Sequence, residues 1–482
     1  MFLLAEDMAT AMAKLIDTWL GNPALRKAIA LTTKDCKKCG KRIDLALREY
    51  TGEKIDLCIK CRAASFTIKK VLDTFISKGK MDKQIIIDYL KQPMWRKGLA
   101  AVLEGIAEFG PKKPFIAASP FLMVWNITKL CNLKCIHCYE NAKVRAPDEM
   151  TTEEAISAVD KMADAGVAYI AISGGEPLMH PDFFKIAKRI QEREMAFSIA
   201  TNATLLTKEN AKKLREFGCI YAQVSVDGAN AETHNKFRGV NSFERTMEGI
   251  KNLVNEKITV GISSTITKHN LKEVPELIDL SEKLGVQIFM AYNFIPTGRG
   301  KEIVDMDISP REREELLEYL VREQKKRKLN ILSTAPQYSR VCQKSGLLSM
   351  THFDVFGNTK EMVDNVKFLA EFVGGCGAGR LYATLEPNGD IKPCVFIPIV
   401  NGNIKKDDFK KVWLTDKTLN KLRHREEFFG HCRKCESRNI CGGCRARAYS
   451  YFGDVQGPDP GCILNENQWE QLKEQVQVRT KK

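Results

Sequence analysis

The sequence predicts an α/β protein built on a partial (β/α)6 barrel, with a mostly helical, metal-binding N-terminal region and a cysteine-rich C-terminal domain. Three observations carry this expectation. Between about residue 120 and residue 330, six short apolar runs (FLMVWNI, AYIAIS, AFSIAT, YAQVSV, ITVGISSTI and VQIFMAY) alternate with amphipathic stretches such as TTEEAISAVDKMADAG and EVPELIDLSEKLG. Strand–helix repeats of this kind form a parallel sheet with right-handed crossovers. Fourteen of the sixteen cysteines fall into three clusters, and GPKKP at 110–114 is a turn-rich boundary ahead of the repeats.

At 482 residues, 44% hydrophobic and 28% charged, the chain has the composition of a soluble globular protein of about three domains. No apolar run approaches the roughly 18 residues of a membrane span, and the N-terminal stretch MFLLAEDMATAMAKLIDTWL carries acids inside its apolar run. A cytoplasmic protein is expected. The net charge of +15 is compatible with a phosphate-rich partner, an anionic membrane surface or a lysine-rich solvated surface. Acids and bases alternate along most of the chain, which favours the last, and no basic stripe interleaved with aromatics points to nucleic acid.

Residues 1–112 read as amphipathic helices around a four-cysteine site, Cys36, Cys39, Cys58 and Cys61, spaced CxxC, eighteen residues, CxxC. In a cytosolic chain such cysteines are metal ligands before they are disulfides, and this spacing closes a tetrahedral site for zinc or a single rubredoxin-like iron. The helices carry Trp19, Leu20, Trp95 and Leu99 beside Lys and Arg, so they either pack on the barrel or rest on a membrane interface.

The barrel is expected over 118–330, with functional residues in the loops at the C-terminal ends of its strands. CNLKCIHCYENA follows the first strand and places Cys131, Cys135 and Cys138 at CxxxCxxC spacing with no fourth thiol nearby. Three thiolates leave one metal position open. SGGEP (173–177) follows the second strand, and SVDG with HNKFRG, containing Ser225, Asp227 and Arg238, follows the fourth. Cys219 opens an apolar run and reads as a packed thiol. A linker is expected at 331–373, the cysteine-rich domain at 374–465 and a solvated basic helix at 466–482.

The CxxxCxxC, GGEP and SxDG…FRG segments together resemble the radical S-adenosylmethionine (SAM) enzymes, whose fold is a TIM-like partial barrel. By that resemblance Cys131, Cys135 and Cys138 hold a [4Fe–4S] cluster whose fourth iron binds SAM. It also assigns Gly174, Gly175 and Glu176 to the methionine amino group, Ser225 and Arg238 to its carboxylate or ribose region, and His137 to the adenine. Cys376, Gly389, Cys394, Cys432, Cys435, Cys441, Cys444 and Cys462, with LEPNGDIKPC and ICGGCRARA, are similar to the SPASM extension of the same superfamily. Two auxiliary clusters are implied, one on Cys432, Cys435, Cys441 and Cys462, the other on Cys376, Cys394 and Cys444 with a fourth position open; Cys342 is a candidate for it.

The resemblance further implies reductive SAM cleavage to a 5′-deoxyadenosyl radical, hydrogen abstraction from an unactivated C–H bond, and a reductant such as ferredoxin or flavodoxin. The substrate it suggests is a peptide or protein side chain, which would be oxidised or linked by a C–C or C–S bond; an isoprenoid or acyl lipid is the alternative. Sulfatase-activating members carry an aspartate directly after the second cysteine of the extension, where this chain has Val395. The reading from another class is a non-catalytic iron–sulfur electron carrier or a zinc-ribbon nucleic-acid binder. An intact GGEP segment and Arg238 are of no use to either.

Overall fold

A computed structural model of the chain describes residues 16–79, 81–347 and 370–480. The first fifteen residues, part of the expected amphipathic start, lie outside it. The N-terminal region comprises α1 (Pro23–Thr32), α2 (Arg42–Tyr50), α3 (Ile59–Lys78), α4 (Lys83–Lys91) and α5 (Pro93–Phe109), plus two short antiparallel strands, β1 (Asp35–Cys36) and β2 (Gly40–Lys41). Asn22 caps α1, accepting from the Ala24 and Leu25 amides ahead of Pro23 at the first helical position.

The helices bury Ile16, Leu20, Ile29, Ile43, Leu47, Ile68, Val71, Leu103 and Ile106 against one another. Trp19 and Leu99 pack on that cluster, and Trp95 lies between Tyr89 and Phe121. The apolar residues considered for a membrane interface are therefore used in internal packing, and no helix of the described residues is long and apolar enough to cross a membrane. Helix α5 seats the region on the barrel. A Cβ on Gly105 would fall 1.9 Å from the Ile116 carbonyl oxygen, so only glycine permits this approach. Buried Arg96 bridges Asp44 of α2 (2.9 Å) and Glu194 of the barrel (3.4 Å).

The barrel strands are β3 (Leu122–Asn126), β4 (Tyr169–Ser173), β5 (Ala196–Thr201), β6 (Cys219–Ser225), β7 (Thr259–Ile266) and β8 (Ile288–Asn293), parallel and in sequential order. They match the six apolar runs. Side chains alternate along each strand. Met123, Trp125, Ile170, Ile172, Phe197, Ile199, Val224, Ile262 and Phe289 join the helices in the main core, as does Cys219. The opposite set, including Val124, Ala171, Ser198, Ala200, Gln223, Ser225, Ser263 and Tyr292, faces the barrel interior. Because many of these are small or polar, the interior stays open as a cavity.

Two features of the sheet differ from the sequence expectation. The stretch expected as linker, 331–373, begins inside a seventh parallel strand, β9 (Asn330–Ser333), and continues into the helix Gln337–Lys344. NILS is too short an apolar run to show strand periodicity. Residues 348–369 of that stretch lie outside the described residues. At the other edge β10 (Tyr382–Leu385), from the cysteine-rich region, pairs in parallel with β3 and carries β11 (Asp390–Lys392) and β12 (Gly402–Asn403) outward. The barrel and the C-terminal domain thus share one ten-stranded sheet. The C-terminal helix Trp469–Thr480 is not simply solvated: Trp469, Leu472 and Val476 are buried with Val304 and Tyr451.

Candidate active site

The loop after β3 carries the three thiols, and backbone pairing fixes it against the loop after β4. The amides of Gly175 and Glu176 donate to the carbonyls of Thr128 (2.7 Å) and Leu130 (2.8 Å). Gly174 has φ +128°, and a Cβ there would stand 2.5 Å from the Thr128 oxygen. On Gly175 it would stand 2.1 Å from the Leu130 oxygen. Both positions therefore require glycine, which places the two peptide planes beside the cysteine loop. Tyr139 completes the support, its hydroxyl within 3.1 Å of Ser173 Oγ and donating to Asn126 Oδ1 at 3.2 Å. The Asn126 amide donates to Glu140 (2.8 Å) and to Glu386 of the segment after β10 (3.3 Å), tying the cysteine loop to the C-terminal domain.

Cys131, Cys135 and Cys138 all line one cavity of about 300 Å³. His137, Gly174, Gly175, Ser225 and Arg238 line it too. Arg238 is held by buried Asp227 (Nε–Oδ2 2.5 Å), and its Nη1 lies 3.9 Å from Cys135 Sγ. His137 stacks on Phe237 at 4.3 Å, its Nδ1 buried without a hydrogen-bond partner. Burial pushes its pKa down to about 4, so the ring is neutral at pH 7. Glu176 stands apart. Its carboxylate is wholly buried and turned away from the cavity wall, accepting from Thr201 Oγ1 (2.8 Å) and the Asn202 amide (2.9 Å). What this segment presents to the cavity is Ser173 and the two glycines.

Burial pushes the Cys131 thiol up to about 12 and the Cys135 thiol upward as well. Thiols in that state become thiolates when a cation binds. Three thiols with an arginine beside them, facing a cavity edged by glycine backbone, fit an iron–sulfur cluster with one open position and its cosubstrate.

Across the cavity stand Cys376, Cys394 and Cys444, which line the same space. Tyr382 donates its hydroxyl to Cys394 Sγ at 3.0 Å. Cys342 is buried in the main core and does not line the cavity, so the structure removes it as the fourth partner of this triad. Cys432 and Cys441 gather around Gly443, whose amide donates to Cys441 Sγ at 3.3 Å. The charges of Cys462 and Cys432 raise the Cys441 thiol, after burial, which places all three in one neighbourhood. In the N-terminal region the Sγ atoms of Cys36, Cys39, Cys58 and Cys61 lie within 4.8 Å of one another. Among the described residues no other set of three or more His, Cys, Asp or Glu ligand atoms is packed so closely.

Sequence reading missed Thr201 at the end of β5 and Asn202 after it, Arg299 after β8, and the inward tyrosines Tyr169, Tyr221, Tyr292 and Tyr382. Position at the strand C-terminal ends would have pointed to the first three. The tyrosines carry no motif.

Residues 125–281 match the Radical SAM superfamily, and residues 376–436 match the iron–sulfur cluster-binding SPASM domain. The chain is 36% identical over 348 residues to an AdoMet-dependent heme synthase of Methanosarcina barkeri, covering 72% of this chain and 97% of that protein. This chain belongs to the radical SAM superfamily. It is an enzyme of that superfamily with a C-terminal SPASM domain, and the two domains imply SAM and iron–sulfur clusters as its cofactors. It is also 28% identical to the mycofactocin maturase MftC of Mycolicibacterium smegmatis, over 72% of this chain and 83% of that one. The fold is shared with Streptococcus suis SuiB bound to S-adenosylmethionine, with a TM-score of 0.59 at 20% identity, covering 83% and 89% of the two chains.

Proposed function

We propose that this enzyme removes hydrogen from a side chain of a tetrapyrrole in an oxidative radical reaction, using SAM bound at Cys131, Cys135 and Cys138. The observation that carries the reading is the single cavity joining this triad to Cys376, Cys394 and Cys444. When bound, the site cluster and SAM supply a carbon radical able to take a hydrogen atom, and the auxiliary cluster supplies a one-electron acceptor. The protein's part is placement. His137, Ser225 and Arg238 border the cosubstrate end, with Gly174 and Gly175 offering backbone groups. Tyr169, Tyr221, Tyr292, Phe294, Tyr382 and Phe396 wall the space between the two triads. Flat aromatic walls with few charges suit a large conjugated ring. Similarity to the heme synthase supports the tetrapyrrole class. Oxidation of a propionate to a vinyl group would release carbon dioxide, one hydrogen atom to the radical, a proton and one electron.

Cys432, Cys435, Cys441 and Cys462 are assigned to the second auxiliary cluster. Boundaries near 112, 118, 374 and 465 separate the functional regions.

The second reading, a peptide substrate, is supported by the likeness to MftC. Against a leader-binding arrangement, the described N-terminal region is helical, its strands β1 and β2 spanning two residues each. For a lipid there is less support, since no described residue before Leu122 lines the cavity.

The test is anaerobic incubation with SAM, dithionite and an iron porphyrin bearing propionates, against a panel of cysteine- and tyrosine-containing peptides. Porphyrin-dependent 5′-deoxyadenosine together with loss of carbon dioxide and a pair of hydrogens from the porphyrin is the expected result. Peptide-dependent turnover with an inert porphyrin would replace the first reading with the second.

A further inference from the structure

We propose that Cys36, Cys39, Cys58 and Cys61 hold one Zn²⁺ ion in a closed tetrahedral site, a staple that orders the N-terminal region and takes no part in the chemistry of the cavity. The inference stands on geometry outside the matched family segments, which begin at residue 125.

Spacing decides how many metals the site takes. Four thiolates on one ion at a metal–sulfur distance of about 2.3 Å form a tetrahedron with edges of about 3.8 Å. Here Cys36 Sγ and Cys58 Sγ are 3.8 Å apart, and all four sulfurs fall within 4.8 Å of one another. A cubane cluster puts each thiolate on a different iron and spreads the sulfurs to roughly 6 Å. The quartet is too tight for that and right for a single ion.

The backbone is arranged for the same purpose. Cys36 and Cys39 come from the turn between β1 and β2, where Cys36 pairs with Gly40, and Gly40 has φ +101°. Cys58 is the N-cap of α3 and Cys61 lies in its first turn. The Cys61 amide and the positive end of the helix dipole thus face the Cys58 sulfur. Four thiolates on a divalent ion carry a net double negative charge, and exposed Lys34, Lys37, Lys38, Lys60 and Arg62 flank the ligands. These lysines and this arginine account for part of the positive charge of the chain.

Placement argues for a closed-shell ion. Iron in such a site would serve by exchanging electrons. None of the four cysteines lines the cavity that joins the cluster triads. What the site does connect is local: the β1–β2 turn and the start of α3, 22 residues apart in sequence. Between them, residues 51–58 form no helix or strand, and the strands are two residues each. Within 51–58 only Leu57 is buried, so outside α2 this stretch has little apolar burial of its own, and a bound ion would add folding free energy.

The experiment uses the full-length chain purified anaerobically, with zinc and iron counted per chain, so its outcome is independent of SAM cleavage and of the substrate. About one zinc per chain is expected beside the cluster iron. Cys58→Ser should remove the zinc, leave the iron unchanged, and speed hydrogen exchange in residues 16–79 by at least roughly tenfold. Chains grown with cobalt should show the intense visible bands of a tetrahedral tetrathiolate ion. If Cys58→Ser does not fold, Cys39→His keeps the test: it should retain one metal and shift the cobalt bands to higher energy as one thiolate is lost. An additional iron with rubredoxin-like absorption and no zinc, zinc unaffected by Cys58→Ser, unchanged cobalt bands in Cys39→His, or zinc loss without faster exchange would each overturn the proposal.

Discussion

The N-terminal quartet and the two cavity triads use the same side chain in different settings. The quartet is compact, has four thiols and sits at the start of a helix beside exposed lysines. Its thiols are split: the backbone amides of Cys39 and Lys38 pull Cys36 down to about 6, while burial pushes Cys61 up to about 12. In the triads, Cys131 and Cys394 are pushed up to about 12 by burial. The difference teaches what each site is for. A closed set of four thiols flanked by exposed cationic side chains would satisfy a single ion completely and leave nothing to offer a substrate. An open set sunk into a cavity is held at an electrostatic cost, by surrounding structure that cannot relax, and keeps a coordination position for chemistry.

The sharpest way to break the comparison is to remove one thiol from each. Cys135→Ala should reduce SAM cleavage to the uncatalysed background and remove about four irons per chain. Cys36→Ser should leave 5′-deoxyadenosine formation within about twofold of wild type under saturating SAM, because the quartet acts through local folding. Quantifying 5′-deoxyadenosine and iron in both variants decides it. Equal losses in the two would erase the distinction.

The next effect concerns what holds the triads face to face. Asp307 is wholly buried and accepts from Arg447 Nη1 (2.7 Å), Arg313 Nη2 (2.8 Å) and Tyr451 Oη (2.6 Å). Arg447 also donates to the Phe294 carbonyl at the cavity wall (2.6 Å). Asp307→Ala leaves buried Arg313 without its carboxylate and Arg447 with only the more distant Asp459 (3.6 Å), and a loss of about 3–5 kcal/mol in denaturant unfolding is expected. Comparable truncation of exposed Glu53, which pairs with Arg48 at the surface where solvent screens the pair, should leave the unfolding midpoint nearly unchanged.

A smaller effect follows from pH. Burial raises the Glu176 carboxyl to about 7, against the opposing donation of the Asn202 amide and the Thr201 hydroxyl. A carboxyl whose pKa is raised in the folded state contributes stability that is full below its unfolded value of 4.5 and lost as pH climbs through about 7. Glu176→Gln cannot ionise. The stability difference between wild type and this variant should therefore move by up to about 3 kcal/mol against wild type between pH 4 and pH 8. Urea titrations at several pH values read this, and parallel curves would show that folding does not raise the pKa of this carboxyl.

How much of this was legible in the sequence follows the same division. The six strands, the CxxxCxxC loop and the glycine pair were readable because each combines a local period with residues that few other conformations need. Cys36, Cys39, Cys58 and Cys61 were readable from spacing alone. The parallel pairing of β10 with β3 was not, since it joins residues about 260 apart and leaves no local pattern. Nor was the direction of the Glu176 carboxylate, which Thr201 and Asn202 set from the next strand. The inward tyrosines alternate like any half-buried strand residue, so only the closed barrel reveals that they face open space.

The last prediction takes the comparison to a single hydrogen bond. Gly443 donates a backbone amide to Cys441, a contact no side-chain substitution removes, whereas the donor to Cys394 is the Tyr382 hydroxyl at 3.0 Å. With the auxiliary cluster bound, hydrogen bonds to its sulfurs stabilise the reduced, more negative form and raise the reduction potential. Tyr382→Phe deletes the donor and keeps the ring in place on β10, so packing is preserved and the potential of that cluster should fall. A neutral hydrogen bond contributes about 0.5–1.5 kcal/mol, which for one electron corresponds to roughly 20–60 mV. Redox titration followed by electron paramagnetic resonance reads the shift directly, with the signal of the cluster on Cys131, Cys135 and Cys138 as the internal reference. If both signals keep their midpoints in Tyr382→Phe, the hydroxyl does not tune the cluster, and the potential of the acceptor end is set by burial alone.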